Sequence, residues 1–79
     1  MKANIYVTLK REVLDPQGDA VRRALTSLDL GAVSGVRIGK LIEVELETDD
    51  RAEAEQQLEA MCARLLANPV MEDFRYELV

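Results

Sequence analysis

Between Val36 and Glu47 the side chains alternate almost without exception. Val36, Ile38, Ile42, Val44 and Leu46 share one parity, and Arg37, Gly39, Glu43, Glu45 and Glu47 share the other. Period two with β-branched residues is the pattern of a half-buried strand. Only Lys40 and Leu41 break it, directly after Gly39. A two-residue hairpin at Gly39-Lys40 would set Ile38 opposite Leu41 and turn Glu43 and Glu45 into the core, because a slip of one residue reverses every side chain. That turn is excluded. Two arrangements satisfy the pattern. One is a three-residue loop at Gly39 to Leu41, although leucine suits the left-handed position of such a loop poorly. The other is one long strand from Val33 to Glu47 with a glycine bend or bulge. Such a strand spans about 50 Å at roughly 3.3 Å per residue. A compact chain of this length has a radius of gyration near ~12 Å. The strand would overhang its own domain, and its end would pair with a partner sheet or stay an exposed edge.

The flanking segments supply the rest of a small α+β fold. Ala3, Ile5, Val7 and Leu9 alternate with Asn4, Tyr6, Thr8 and Lys10, which predicts a first strand. Asp15 is a good N-cap, and Pro16 suits the first helical position. Val21, Leu25 and Leu28 then recur at helical spacing, and Gly31 is expected to stop the helix in a left-handed conformation. Asp50 with Glu53 reads as a capping box. Ala54, Leu58, Met61, Cys62 and Leu65 give the second helix its apolar face, and Asn68-Pro69 ends it. Val70, Phe74, Tyr76 and Leu78 form one face of the last strand. The expected architecture is one domain, residues 1–79, in βαβαβ order. It is a two-layer sandwich with two helices on one face of an antiparallel sheet, a long bent middle strand and a sheet continued between subunits. If the middle strand is split, the order becomes βαββαβ, related to the ferredoxin-like fold.

Composition removes most function classes. At 79 residues with one cysteine and no histidine, the chain has no intrachain disulfide and no zinc site. No EF-hand spacing supports a carboxylate metal site. Oligomerisation or docking is then the expected stabiliser of so small a core. A net charge of −5 argues against a nucleic-acid partner. No apolar run approaches the roughly 20 residues of a membrane span. The N-terminus reads as a strand rather than a signal peptide, which with the free thiol points to the cytoplasm. Cys62 lies on an apolar helix face with no histidine to activate it, so it reads as core. Glu43, Glu45 and Glu47 sit alike on one strand face, which suits a solvated or interface surface better than acid/base catalysis. Gly39-Lys40 lacks the other residues of a phosphate-binding loop.

Three ordered motifs carry a resemblance. Val13-Leu14-Asp15-Pro16-Gln17-Gly18 with Ala20-Val21, then Val36-Arg37 with Gly39-Lys40, then Met61-Cys62 with Leu65 to Val70 and Glu72-Asp73-Phe74, together resemble the PurS family of phosphoribosylformylglycinamidine synthase. The match runs over nearly the whole chain. Glu12 and Met71 depart from the family's usual glycine and isoleucine beside these motifs. The resemblance implies a non-catalytic subunit in purine biosynthesis. It would bridge a glutaminase subunit and a large synthetase subunit and support ammonia transfer between them. It implies a homodimer or dimer of dimers, with no cofactor in this chain and with ATP and Mg on the synthetase subunit. The motif positions it carries over are Asp15, Pro16, Gln17, Gly18, Arg37, Gly39, Lys40, Asn68, Pro69 and Glu72, expected to shape or contact interfaces. A ferredoxin-like regulatory domain binding a small molecule is the alternative. It would need a glycine-rich ligand loop near the first strand–helix junction, where Asp15-Pro16-Gln17-Gly18 offers one glycine.

Overall fold

The computed structural model describes residues 1–79. Strands β1 (Lys2–Leu9), β2 (Gly39–Glu45) and β3 (Glu72–Leu78) alternate with helices α1 (Pro16–Ser27) and α2 (Arg51–Met61), and a π turn, Cys62–Leu66, continues α2. The sheet has the order β2-β1-β3, with both pairs antiparallel. The α+β class and the βαβαβ order are those read from the sequence.

Register explains the core. Ala3, Ile5 and Val7 of the central strand lie opposite Val44, Ile42 and Lys40 on one side and Leu78, Tyr76 and Phe74 on the other. Their shared face is covered by Ala54, Leu58 and Cys62. Ile5, Val7, Leu58 and Cys62 are fully buried. Asp50 caps α2 by accepting from the Ala52 N–H at 3.0 Å. The capping box is relayed rather than direct. The Thr48 hydroxyl donates to Glu53 and accepts from the Asp50 N–H.

The middle strand differs from expectation. Its ladder covers only Gly39–Glu45, and the residues from Leu30 to Ile38 run outside the sheet. The cause is visible at the residue just before it. The Ile38 N–H donates to the Asp15 carboxylate at 2.7 Å instead of to a neighbouring strand. There is no hairpin at Gly39. The parity inside the ladder is the expected one, with Ile42 and Val44 packed on the core and Leu46 buried.

The second difference is α1. Only α2 covers the sheet. Gly18 is the one buried residue of α1, and no α1 side chain enters the core cluster. The molecule accordingly measures 49 × 25 × 14 Å, with a Cα radius of gyration of 16.0 Å. A compact chain of this length would have about 12 Å. The C-terminus of α1 also departs from the expected glycine stop. Asp29, with φ 60°, takes the left-handed position. The Leu30 N–H reaches the Leu25 carbonyl and the Asp29 N–H reaches that of Thr26, the bond pair of a Schellman motif.

Beyond the end of α2, two side chains expected inside are outside. Leu65 is 82% exposed. In the π turn the Ala67 N–H bonds to the Cys62 carbonyl, five residues back. The extra residue per turn rotates Leu65 off the core face and brings half-buried Leu66 and buried Ala67 into its place. Val70 is exposed because it belongs to the turn Asn68 to Met71, before β3 begins.

Candidate interaction site

The motif residues gather at one end of the sheet. β1 ends at Leu9, and the register sets Thr8 opposite Gly39 and Leu9 opposite Glu72, so the connections to α1, from α1 and from α2 converge there. Two clusters result.

The first joins the β1–α1 connection to the segment before β2. Asp15 is buried and divides its two carboxylate oxygens: Oδ1 accepts from the Gly18 N–H at 2.9 Å and Oδ2 from the Ile38 N–H at 2.7 Å. Those N–H groups, Ile38 first and Gly18 next, hold the carboxyl below its ordinary range, with a smaller contribution from the Arg37 charge and an opposing one from burial. Arg37 works on the same junction from the other side. Its Nη2 donates to the carbonyls of Lys10 and Val13, each at 2.9 Å. Gly18 makes the close approach possible, because a Cβ there would drive into the Val36 carbonyl and the Asp15 carboxylate. Pro16 occupies the first turn of the helix that Asp15 caps.

The second cluster is the turn into β3. Asn68 Oδ1 accepts from the Val70 N–H at 2.9 Å, and the Asn68 N–H donates to Glu72 Oε1 at 2.8 Å. Pro69 sits within this turn. Glu72, with its side chain only 16% exposed, reaches Lys40 on the far strand at 3.6 Å. Gly39 lies close against β1, where a Cβ would stand 2.9 Å from the Val7 carbonyl oxygen. A hollow of about 200 Å³ joins the clusters and is lined by Asp15, Gln17, Gly39, Lys40 and Glu72 among others. Thus all ten motif positions lie at one end, but most of their polar groups are spent on this chain's own backbone. The carbonyls of Lys10 and Val13, which complete the first cluster, had no signal in the sequence.

Cys62 is buried, and burial, then the neighbouring Glu59, push its thiol up from the ordinary value, away from the reactive thiolate. Tyr6 donates to Glu77 at 2.7 Å and carries the Arg75 guanidinium 4.0 Å above its ring. That hydrogen bond is the first cause of its raised pKa. Glu43 and Glu45 lie on the uncovered face, and Lys2 stands 3.8 Å from Glu43. No cluster of acidic or cysteine side chains could hold a metal ion, and no helix is long and apolar enough to cross a membrane.

What the fold leaves open is apolar surface and strand edge. Leu14, Val21, Leu28, Leu30 and Ile38 are exposed on and around α1. Met1 and Leu46 exchange both backbone bonds, which fixes the phase of the β1–β2 ladder. By alternation, the N–H and C=O groups of Leu41, Glu43 and Glu45 point away from β1 to an open edge.

Comparison with known proteins agrees with this picture. The family model described as "PurS: Phosphoribosylformylglycinamidine (FGAM) synthase" matches residues 2–79. The chain is 54% identical over 74 residues to the phosphoribosylformylglycinamidine synthase subunit PurS of Synechocystis sp., covering 94% of this chain and 74% of that protein. It is 49% identical over 77 residues to the PurS subunit of Bacillus subtilis, covering 98% and 90%. Among solved structures, PurLQS from Thermotoga maritima contains a chain that superposes with a TM-score of 0.91 at 31% identity, covering 99% of this chain and 95% of that one. The chain therefore belongs to the PurS family of phosphoribosylformylglycinamidine (FGAM) synthase subunits of purine biosynthesis.

Proposed function

We propose that this chain is a non-catalytic assembly subunit that joins a glutaminase subunit to a large synthetase subunit and supports ammonia transfer between them. The carrying observation is the shape of the fold. An arm bearing exposed Val21, Leu28 and Leu30 extends from a core of eight buried apolar residues, and the radius of gyration is 16.0 Å. Such a surface on a small domain suits docking. The Thermotoga maritima structure with which it superposes is of a PurLQS assembly, which supports the same partners here. ATP and Mg belong on the synthetase subunit in this reading, and the working compartment is the cytoplasm.

Self-association is part of the proposal. The exposed α1 face and the open β2 edge are satisfied by a second copy, in a homodimer or a dimer of dimers whose two-fold axis makes the contact reciprocal.

Reconstitution tests the bridging role. The two catalytic subunits are mixed with and without this chain, and amidation of formylglycinamide ribonucleotide is followed with glutamine or with ammonium as nitrogen source. The expected result is that the chain is needed for the glutamine-driven reaction and far less for the ammonium-driven one. Equal glutamine-driven rates without the chain would refute the reading.

A further inference from the structure

Residues 16–36 form an arm with a definite construction. Helix α1 leaves the sheet end and turns through the Schellman motif at Asp29. The chain then returns alongside, with a groove lined by Arg22, Arg23, Ser34 and Gly35 among others between the two limbs. No α1 side chain enters the core, so packing does not fix the arm's direction. Yet both of its roots are tied. Asp15, at the entry, bonds to Ile38 at the exit, and Arg37, at the exit, bonds to the Lys10 and Val13 carbonyls at the entry. Gly18 and the Val36 carbonyl close the seam between the limbs at its base.

We propose that Asp15, Gly18 and Arg37 form a latch that sets the angle of this hinged arm and so presents its apolar face to a second copy of this chain. They are positioning residues for assembly, not contact residues. The Arg37 guanidinium suits the task because the two N–H bonds of its Nη2, fixed in one plane, donate to both carbonyls at once. A lysine keeps the charge, but its ammonium rotates freely and does not hold two N–H bonds in fixed directions toward the two carbonyls. Asn at position 15 keeps one acceptor and turns an NH₂ toward one of the two N–H groups. Opening the latch therefore costs hydrogen bonds to charged groups, which are among the stronger ones. The arm and the core become separate units of local stability.

The proposal rests on the assembly role above, and its test separates the two. Hydrogen exchange and sedimentation are measured on the full chain for wild type, Asp15→Asn, Gly18→Ala, Arg37→Lys and Leu28→Ser. Leu28→Ser removes exposed contact surface without touching the latch. All four variants are expected to weaken assembly. Among the resulting unassembled chains, the three latch variants should exchange their arm amides about tenfold or more faster than Leu28→Ser. Amides of β1 and α2 should exchange alike in all. Arm exchange equal to that of Leu28→Ser would overturn the latch. So would equal acceleration in the core, because the three residues would then hold the whole fold. So would wild-type behaviour of Arg37→Lys, because charge alone would then suffice. A wild type that never assembles would refute the assembly role, while the exchange comparison among monomers would still decide the latch.

Discussion

Gly35 lies in the segment leading into β2 and Gly39 begins the strand, and the structure separates the two glycines sharply. A Cβ at Gly39 meets the Val7 carbonyl oxygen at 2.9 Å and the Thr8 methyl at 3.0 Å, whereas a Cβ at Gly35 meets nothing within 4 Å. Gly39→Ala is expected to lower stability by about 1–3 kcal/mol through backbone displacement. Gly35→Ala is expected to be neutral, or stabilising by about 0.4–1 kcal/mol through the unfolded chain. Paired thermal or urea denaturation of the two variants checks this. Asp15 gives a pH test. Its folded pKa lies below its ordinary value of 3.8, so the stability it contributes is present above that value and is lost as pH falls through the folded pKa. Acid titration of the fold should therefore show a loss starting near 3.8 that is smaller in Asp15→Asn. The cap at Asp15 was legible in the sequence because it is local: an acid before proline and a glycine three residues on. Its bond to Ile38 was not, because a contact across 23 residues leaves no trace in spacing.

At the scale of elements, alternation read the strands well. The parity of Ile42, Val44 and Leu46 survives in the ladder and the burial pattern. The same alternation continues back through Ile38 and Val36, yet those residues leave the sheet. Parity reports which side a side chain takes and not whether a neighbour strand is there to bond. Helix ends were less legible. Gly31 was the expected left-handed stop, but Asp29 takes that position, since aspartate also tolerates it. Asp29→Gly should relieve that backbone cost and stabilise the last turn of α1 by about 0.5–1 kcal/mol. Slower amide exchange at Leu28 to Leu30 would bear this out, and faster exchange would contradict it. The π turn also hid from sequence reasoning. Leu65 falls on the apolar face only under 3.6-residue spacing, and one wider turn replaces it with Leu66 and Ala67.

For the whole molecule, the sequence announced a chain too small to stand comfortably alone, and the structure shows where the shortfall lies. Ten of 79 residues are buried, and α1 contributes only Gly18 to them. The missing burial is on the arm and along the β2 edge. The expected overhang exists, but its cause is an arm held by polar groups rather than one continuous strand of fifteen residues. The motif positions correspondingly divide their work. Asp15, Gly18 and Arg37 shape the arm's base, and Asn68 and Glu72 shape the turn into β3, so much of the family signature is architecture. Sedimentation of the purified chain at micromolar concentration tests this account most directly, with Glu43→Pro beside it. The Glu43 N–H faces the open edge, so proline there removes an outward donor and spares the β1–β2 ladder. The account predicts an oligomer for wild type and smaller but folded particles for Glu43→Pro. A stable, folded wild-type monomer would contradict it.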